Sequence, residues 1–239
     1  MPAQLPDRAA LRPALSPHTI IPYIGIASYL APIAAILRRR PASVPLRLIA
    51  VYCAVAFLES CIMGYIGSRG ITNLWLIHLF TPFEATIFLL AFGRWQLRQA
   101  SHTFIYALIP LFLVAWTGFA FRAESFSAFP KYVKSIECIL LVAVAAFTLV
   151  TRSQSLVAPI THHDWFWVSV GTLIYFSFLS VLNPLSNQLL PHSRQLVLIM
   201  FDVNATLGAV ANLLFARAML CQQPQHSSGG FSSSQPSLA

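Results

Sequence analysis

Charged side chains are scarce in this sequence. Its 239 residues include 15 Lys and Arg and 7 Asp and Glu, which make up 9% of the chain, whereas a soluble domain carries about 25%. So few charges cannot solvate a globule of this size, which excludes a soluble enzyme, a disordered protein and a nucleic-acid-binding module. The hydrophobic content of 57% and the mean hydropathy of +0.69 instead predict an all-α, polytopic transmembrane helical bundle.

Cysteine pairs and enzyme motifs are lacking as well. The four cysteines form no CxxC, so a disulfide framework or a zinc site is not indicated. The sequence contains no GxSxG, HExxH, P-loop or Gly-rich dinucleotide turn. These absences favour a non-catalytic protein without a cofactor, although His78 and Glu84 together could hold a metal ion.

Seven apolar runs occupy most of the chain. Each run is long enough, at about 1.5 Å per residue, to cross or nearly cross a bilayer core of about 30 Å. Residues 1–18 contain four prolines and predict a flexible arm, residues 19–221 form the seven-helix domain, and the Ser- and Gln-rich residues 222–239 predict a disordered tail. The predicted spans are residues 19–37, 46–67, 74–93, 103–121, 133–150, 165–182 and 196–220.

The distribution of Lys and Arg predicts the orientation. Arg38, Arg39, Arg40 and Arg47 follow the first span, and the first span usually dominates the positive-inside rule. We therefore expect the N-terminus outside and the C-terminus in the cytoplasm. The total count is nearly even, because Lys134 and six other basic residues fall on the outer side.

Ionisable side chains occur inside the apolar runs. A charged group at mid-bilayer costs about 2.5–3.5 kcal/mol, so these groups should face the bundle interior and be paired or protonated. Counting spans places them all in the half of the bilayer opposite the C-terminal tail, which predicts a single polar pocket. The candidate ligand-binding residues are Glu59, His78, Glu84 and Asp202.

Glu137 also lies in an apolar run, but a basic residue lies close to it in the sequence. Lys134 precedes it by three residues, a spacing that brings the two side chains together on a helix surface. This spacing predicts an ion pair at the membrane interface rather than a pocket residue.

The third predicted span contains a proline, Pro82, in its interior. Proline cannot donate a hydrogen bond to the carbonyl four residues back, and its ring crowds that carbonyl. We therefore expect a kink at Pro82, with the carbonyl of His78 exposed to a polar partner and Thr81 satisfying part of the freed backbone.

The segment from Asn73 to Glu84, NLWLIHLFTPFE, resembles a segment of bacterial seven-span membrane proteins of about this length. The resemblance implies a location in the bacterial inner membrane and implies no activity.

Seven spans with intramembrane Glu, Ser, His and Asp also resemble the membrane hydrolases related to alkaline ceramidases and adiponectin-type receptors. That family requires two histidines four residues apart in its last span, and residues 196–220 contain no histidine. A metal-dependent hydrolase is therefore kept only as an alternative.

Four functions remain open. The first is binding or sensing of a proton or a small polar or cationic ligand, which would need a membrane or regulatory protein partner because the chain has no output domain. The second is transport of a small solute, either cationic or coupled to protons. The others are the metal-dependent hydrolase and a structural scaffold in the lipid bilayer.

Overall fold

A computed structural model describes residues 17–38, 43–126, 130–154, 159–189 and 193–221. These residues form helices and contain no strand. The predicted tail lies outside the described residues, as does the predicted arm except for Pro17 and His18. The helices are α1 (Pro17–Ser28), α2 (Leu30–Arg38), α3 (Val44–Ser68), α4 (Leu74–Trp95), α5 (Gln99–Arg122), α6 (Tyr132–Ser153), α7 (Asp164–Leu189) and α8 (Arg194–Leu220), with a 3-10 turn at Ile160–His162.

Seven segments are long and apolar enough to cross a membrane, so the predicted all-α bundle of seven spans is confirmed. Each predicted run falls on one segment, and the ends differ by a few residues. The segments are Ile20–Arg38, Val44–Ser68, Leu74–Trp95, Gln99–Arg122, Tyr132–Ser153, Asp164–Leu185 and Gln195–Leu220.

The first span is made of two helices, α1 and α2, that meet at Tyr29. Pro32 explains the break, because it has no N–H to donate to the carbonyl of Ser28. The Ser28 hydroxyl in turn donates to the carbonyl of Gly25, 2.6 Å away, and accepts a bond of 2.8 Å from Asn212 of α8. The broken span is thus joined to the last one.

The helices are arranged as a closed ring. α2 contacts α3, and the order of contacts continues through α4, α6, α7 and α8, which returns to α1 and α2. α5 packs against α4 and α6 on the outside of this ring. α4 therefore has neighbours on three sides, and it carries the buried polar residues His78, Thr81 and Glu84.

An aromatic cluster fills the ring on one side of these polar residues. The ring of Phe88 in α4 lies 5.4 Å from that of Phe176 in α7, 6.0 Å from that of Phe215 in α8 and 4.8 Å from that of Tyr52 in α3. Aromatic rings at such separations pack favourably and exclude water. The cluster closes the interior one helical turn from Glu84.

Candidate polar site in the bundle interior

α4 runs through Pro82 as one helix, and its freed backbone groups are satisfied by neighbours. The indole N–H of Trp116 in α5 donates to the carbonyl of His78, at 3.1 Å. Thr81 donates to the carbonyl of Ile77, at 2.8 Å, rather than to that of His78. The polar partner expected for the His78 carbonyl is therefore Trp116, whereas the size of the kink stays a prediction.

Glu84 is the centre of the buried polar site. Its carboxylate accepts a hydrogen bond of 2.7 Å from the hydroxyl of Tyr52 in α3. Its second oxygen accepts a hydrogen bond from the ammonium of Lys134 in α6. Three spans are thus joined at one carboxylate that is 2% exposed.

Lys134 binds a second carboxylate as well. Its ammonium lies 2.6 Å from Oε2 of Glu137, so the ion pair three residues apart exists as the spacing indicates. The pair lies inside the bundle rather than on its surface, because Lys134 is 6% exposed and Glu137 is fully buried, whereas its depth in the membrane stays a prediction. The long Lys side chain turns inward, since Glu84 on the neighbouring helix supplies a second negative charge.

Glu137 is incompletely satisfied. Neither of its oxygens has a partner in good hydrogen-bond geometry among the described residues, and Oε1 has no ion-pair contact there either. The ring of Phe176 lies 6.0 Å from the Lys134 ammonium, so the surroundings of this pair are apolar. The acidic cluster, defined here as Glu84, Lys134 and Glu137, contains two carboxylates and one ammonium. It has a net charge of −1 when all three groups are ionised.

His78 is on the same helix as Glu84 but contacts a different carboxylate. Its Nδ1 is 3.6 Å from Oε2 of Glu124, in the connection between α5 and α6. The other oxygen of Glu124 accepts from the backbone N–H groups of Tyr132 and of Val133, the latter at 3.1 Å. Glu124 therefore satisfies two of the free N–H groups that begin α6.

Glu59 is half-buried on α3, seven residues after Tyr52. That spacing puts both side chains on one helix face, about two turns apart. Among the described residues, it forms no direct bond with the acidic cluster.

Asp202 is half-buried on α8. The Thr206 hydroxyl donates to its backbone carbonyl, at 2.9 Å. No described contact of Glu84, Lys134 or Glu137 involves Asp202. Of the four predicted pocket residues, only Glu84 belongs to the acidic cluster; His78 is on the same helix as Glu84, and Glu59 is on the neighbouring helix α3.

Sequence reasoning missed Lys134, Glu137 and Tyr52 as site residues. Span counting had put Glu84 and Glu137 in the same half of the bilayer, and Lys134 is three residues from Glu137, so this signal could have revealed the cluster. Nothing in the sequence marks Glu124, since an irregular connection has no periodicity that would place its side chain.

The site has no evident metal ligands. Within the described ranges, no three His, Cys, Asp or Glu side chains converge in a way that could hold a metal ion. The groups that do converge are a phenol, two carboxylates and an ammonium, and these groups can exchange protons.

Comparison with known proteins leaves the site to be interpreted from its own geometry. No protein-family model matches the chain, and no curated protein and no solved structure is similar to it.

Proposed function

We propose that this multi-pass membrane protein binds a proton at the acidic cluster and acts as a sensor of proton occupancy. One observation carries the proposal: two buried carboxylates share a single ammonium, and Oε1 of Glu137 has no partner among the described residues. Burying a net charge away from water is costly. One proton on either carboxylate makes the cluster neutral, so gain and loss of that proton change its stability directly.

A proton fits the cluster better than a larger cation does. The ammonium of Lys134 already occupies the space between the two carboxylates, with contacts to both. A metal ion or an organic cation would have to displace this ammonium, whereas a proton adds to an oxygen without displacing any group. The ligand is therefore a proton, and a protein partner would read the resulting change in helix contacts.

We further propose an inner-membrane location with the N-terminus outside and the C-terminus in the cytoplasm. The burial of Lys134 supports this orientation, because a lysine bound within the bundle no longer counts among the flanking charges of the outer side. Five of the six described acidic residues lie in the outer half or at its rim in this orientation. The cytoplasmic ends of the helices carry arginines, namely Arg38, Arg47, Arg94, Arg98, Arg152 and Arg217.

Infrared spectroscopy tests the proposal. The chain has only four glutamates, so protein labelled with ¹³C-glutamate gives few carboxyl bands. A band of a protonated carboxylic acid should be present in reconstituted protein, vary with pH and change in Glu137→Gln and Glu84→Gln. Asp202→Asn is the matched control, because its carboxylate lies outside the cluster, and it should leave the band unchanged. A spectrum without a pH-dependent glutamic acid band in the wild type would overturn the proposal.

Proton-coupled transport of a small cationic solute is the second candidate. Glu59 favours it, because this half-buried carboxylate lies inside a membrane span and outside the ion pairs of the cluster. Proteoliposomes loaded with a pH-sensitive dye should then acidify or alkalinise when a solute gradient is applied, and Glu59→Gln should abolish the signal. A protein that binds protons but moves none across the bilayer would be a sensor only.

The other two functions stay predictions. A scaffold would need the cluster only for stability, and a metal-dependent hydrolase would need ligands that no described contact supplies.

A further inference from the structure

Glu124 is held in place by the backbone of α6. One carboxylate oxygen accepts hydrogen bonds from the N–H groups of Tyr132 and Val133. Rotation of this carboxylate would break both hydrogen bonds to the first turn of α6. Its second oxygen is consequently fixed on the side where His78 lies.

His78 and Glu124 are both enclosed. Their side chains are 1% and 4% exposed, and the imidazole packs against the ring of Phe126 at 4.9 Å. The distance of 3.6 Å from Nδ1 to Oε2 is longer than the 2.7–3.2 Å of a hydrogen bond. The two groups are thus close enough for an ion pair but are not hydrogen-bonded with each other.

We infer that His78 and Glu124 form a second proton-binding site, distinct from the acidic cluster and coupled to it through the first turn of α6. A proton from water adds to the imidazole, and the resulting imidazolium N–H donates to the free oxygen of Glu124. No other reactant is needed.

The coupling follows from the sequence of contacts along α6. Glu124 binds the N–H of Val133, and the next residue, Lys134, binds both carboxylates of the cluster. Contraction of the pair between His78 and Glu124 pulls on the turn that positions the Lys134 ammonium. This coupling, though not the second site itself, rests on the proposed proton binding at the cluster.

The charged side chain that the structure places against His78 is Glu124, at 3.6 Å between Nδ1 and Oε2. On α5, the neutral indole of Trp116 donates to the His78 carbonyl. The ionisable side chains on the other helices that pack against α4 include Glu59 on α3 and Lys134 and Glu137 on α6. Glu84 lies on the same helix as His78, about 9 Å from it along the axis. Lys134 is paired with the two carboxylates of the cluster, and Glu124 is the carboxylate in contact with His78.

Glu124→Gln is the sharpest test, because the amide oxygen can still accept from the N–H groups of α6 but the negative charge is lost. We expect the proton affinity of His78, followed by ¹⁵N-histidine NMR and assigned with His78→Gln, to fall because the imidazolium loses its counter-charge. The glutamic acid infrared band of the cluster should show a changed pH dependence in the same variant. His102→Gln is the control, because His102 packs against Tyr106 at 4.2 Å on α5 and should not affect either signal.

The outcomes separate the two proposals. Unchanged proton affinity of His78 in Glu124→Gln would overturn the second site. Altered affinity with an unchanged glutamic acid band would keep the site and disprove the coupling. If the wild type has no pH-dependent glutamic acid band, the function proposed for the cluster fails, while the histidine titration still decides whether His78 and Glu124 bind a proton together. Glu124→Ala tests the hydrogen bonds of Glu124 to the start of α6 separately from its charge. Because alanine cannot accept these bonds, Glu124→Ala should lower thermal stability more than Glu124→Gln does.

Discussion

The indole N–H of Trp116 donates to the backbone carbonyl of His78, the carbonyl that Pro82 leaves without its helical donor. α5 therefore completes the hydrogen bonding of α4 at the level of the polar site. Because α5 lies outside the ring of helices, this bond is a specific link between a peripheral span and the helix that carries His78 and Glu84.

Replacement of Trp116 should lower the free energy of unfolding more when Pro82 is present than when it is absent. Trp116→Phe removes the donor and should lower the free energy of unfolding in mixed micelles by about 0.6–1.7 kcal/mol for the hydrogen bond. In Pro82→Ala the new N–H of residue 82 binds the His78 carbonyl, so the same Trp116→Phe change should cost less.

The double-mutant cycle isolates this coupling from the packing of the ring, which both backgrounds share. Equal costs of Trp116→Phe in the presence and absence of Pro82 would show that the bond contributes nothing to stability.

Loss of Lys134 should be the most destabilising single change in the site. Lys134→Met removes the ammonium that pairs with both Glu84 and Glu137, and a buried ion pair broken on one side costs about 3–5 kcal/mol. We expect a large drop in the thermal unfolding temperature in mild detergent, and a partial recovery when Glu137→Gln is added.

Lys131→Met provides the matched control. Lys131 is half-buried one turn earlier and lies 5.1 Å from the ring of Tyr132, so its replacement should have a small effect. A similar loss for both lysines, or no recovery in the double variant, would contradict the ion-pair description of the cluster.

The hydroxyl of Tyr52 should stabilise the protein, whereas that of Tyr106 should not. Tyr52→Phe removes the bond of 2.7 Å to Glu84 and should cost about 0.6–1.7 kcal/mol. Tyr106→Phe removes a buried hydroxyl that has no hydrogen-bond partner among the described residues, so it should be neutral or slightly stabilising. Chemical unfolding of the two variants side by side measures the difference, and a greater cost for Tyr106→Phe would contradict the assigned contacts.

The spans were predictable because a bilayer imposes a simple rule on sequence. A segment that crosses the membrane must be apolar for about 20 residues and must satisfy its own backbone. Even the break in the first span has a local cause in Pro32. The ends were less predictable, since Trp, Tyr and Arg at the interface tolerate a shift of a few residues.

The members of the polar site were only partly predictable. Glu84 and His78 could be recognised because an ionisable group in an apolar run is conspicuous. The burial of Lys134 was not predicted, because a lysine three residues into a span can direct its ammonium either to the lipid headgroups or to the interior of the bundle. The presence of Glu84 on α4 decides between them, and sequence spacing cannot reveal a contact between residues 50 positions apart.

The sequence by itself determined the class of the protein: its low charge and its seven apolar runs require a membrane, and each helix follows from local hydropathy. The tertiary structure decided which ionisable groups meet, because that depends on the rotation and order of the helices around the ring. It placed α6 beside α4, which buries Lys134 between two carboxylates, and it folded the connection after α5 so that Glu124 reaches both His78 and the start of α6. These contacts join distant segments, and their energies arise only when the helices have packed and excluded water.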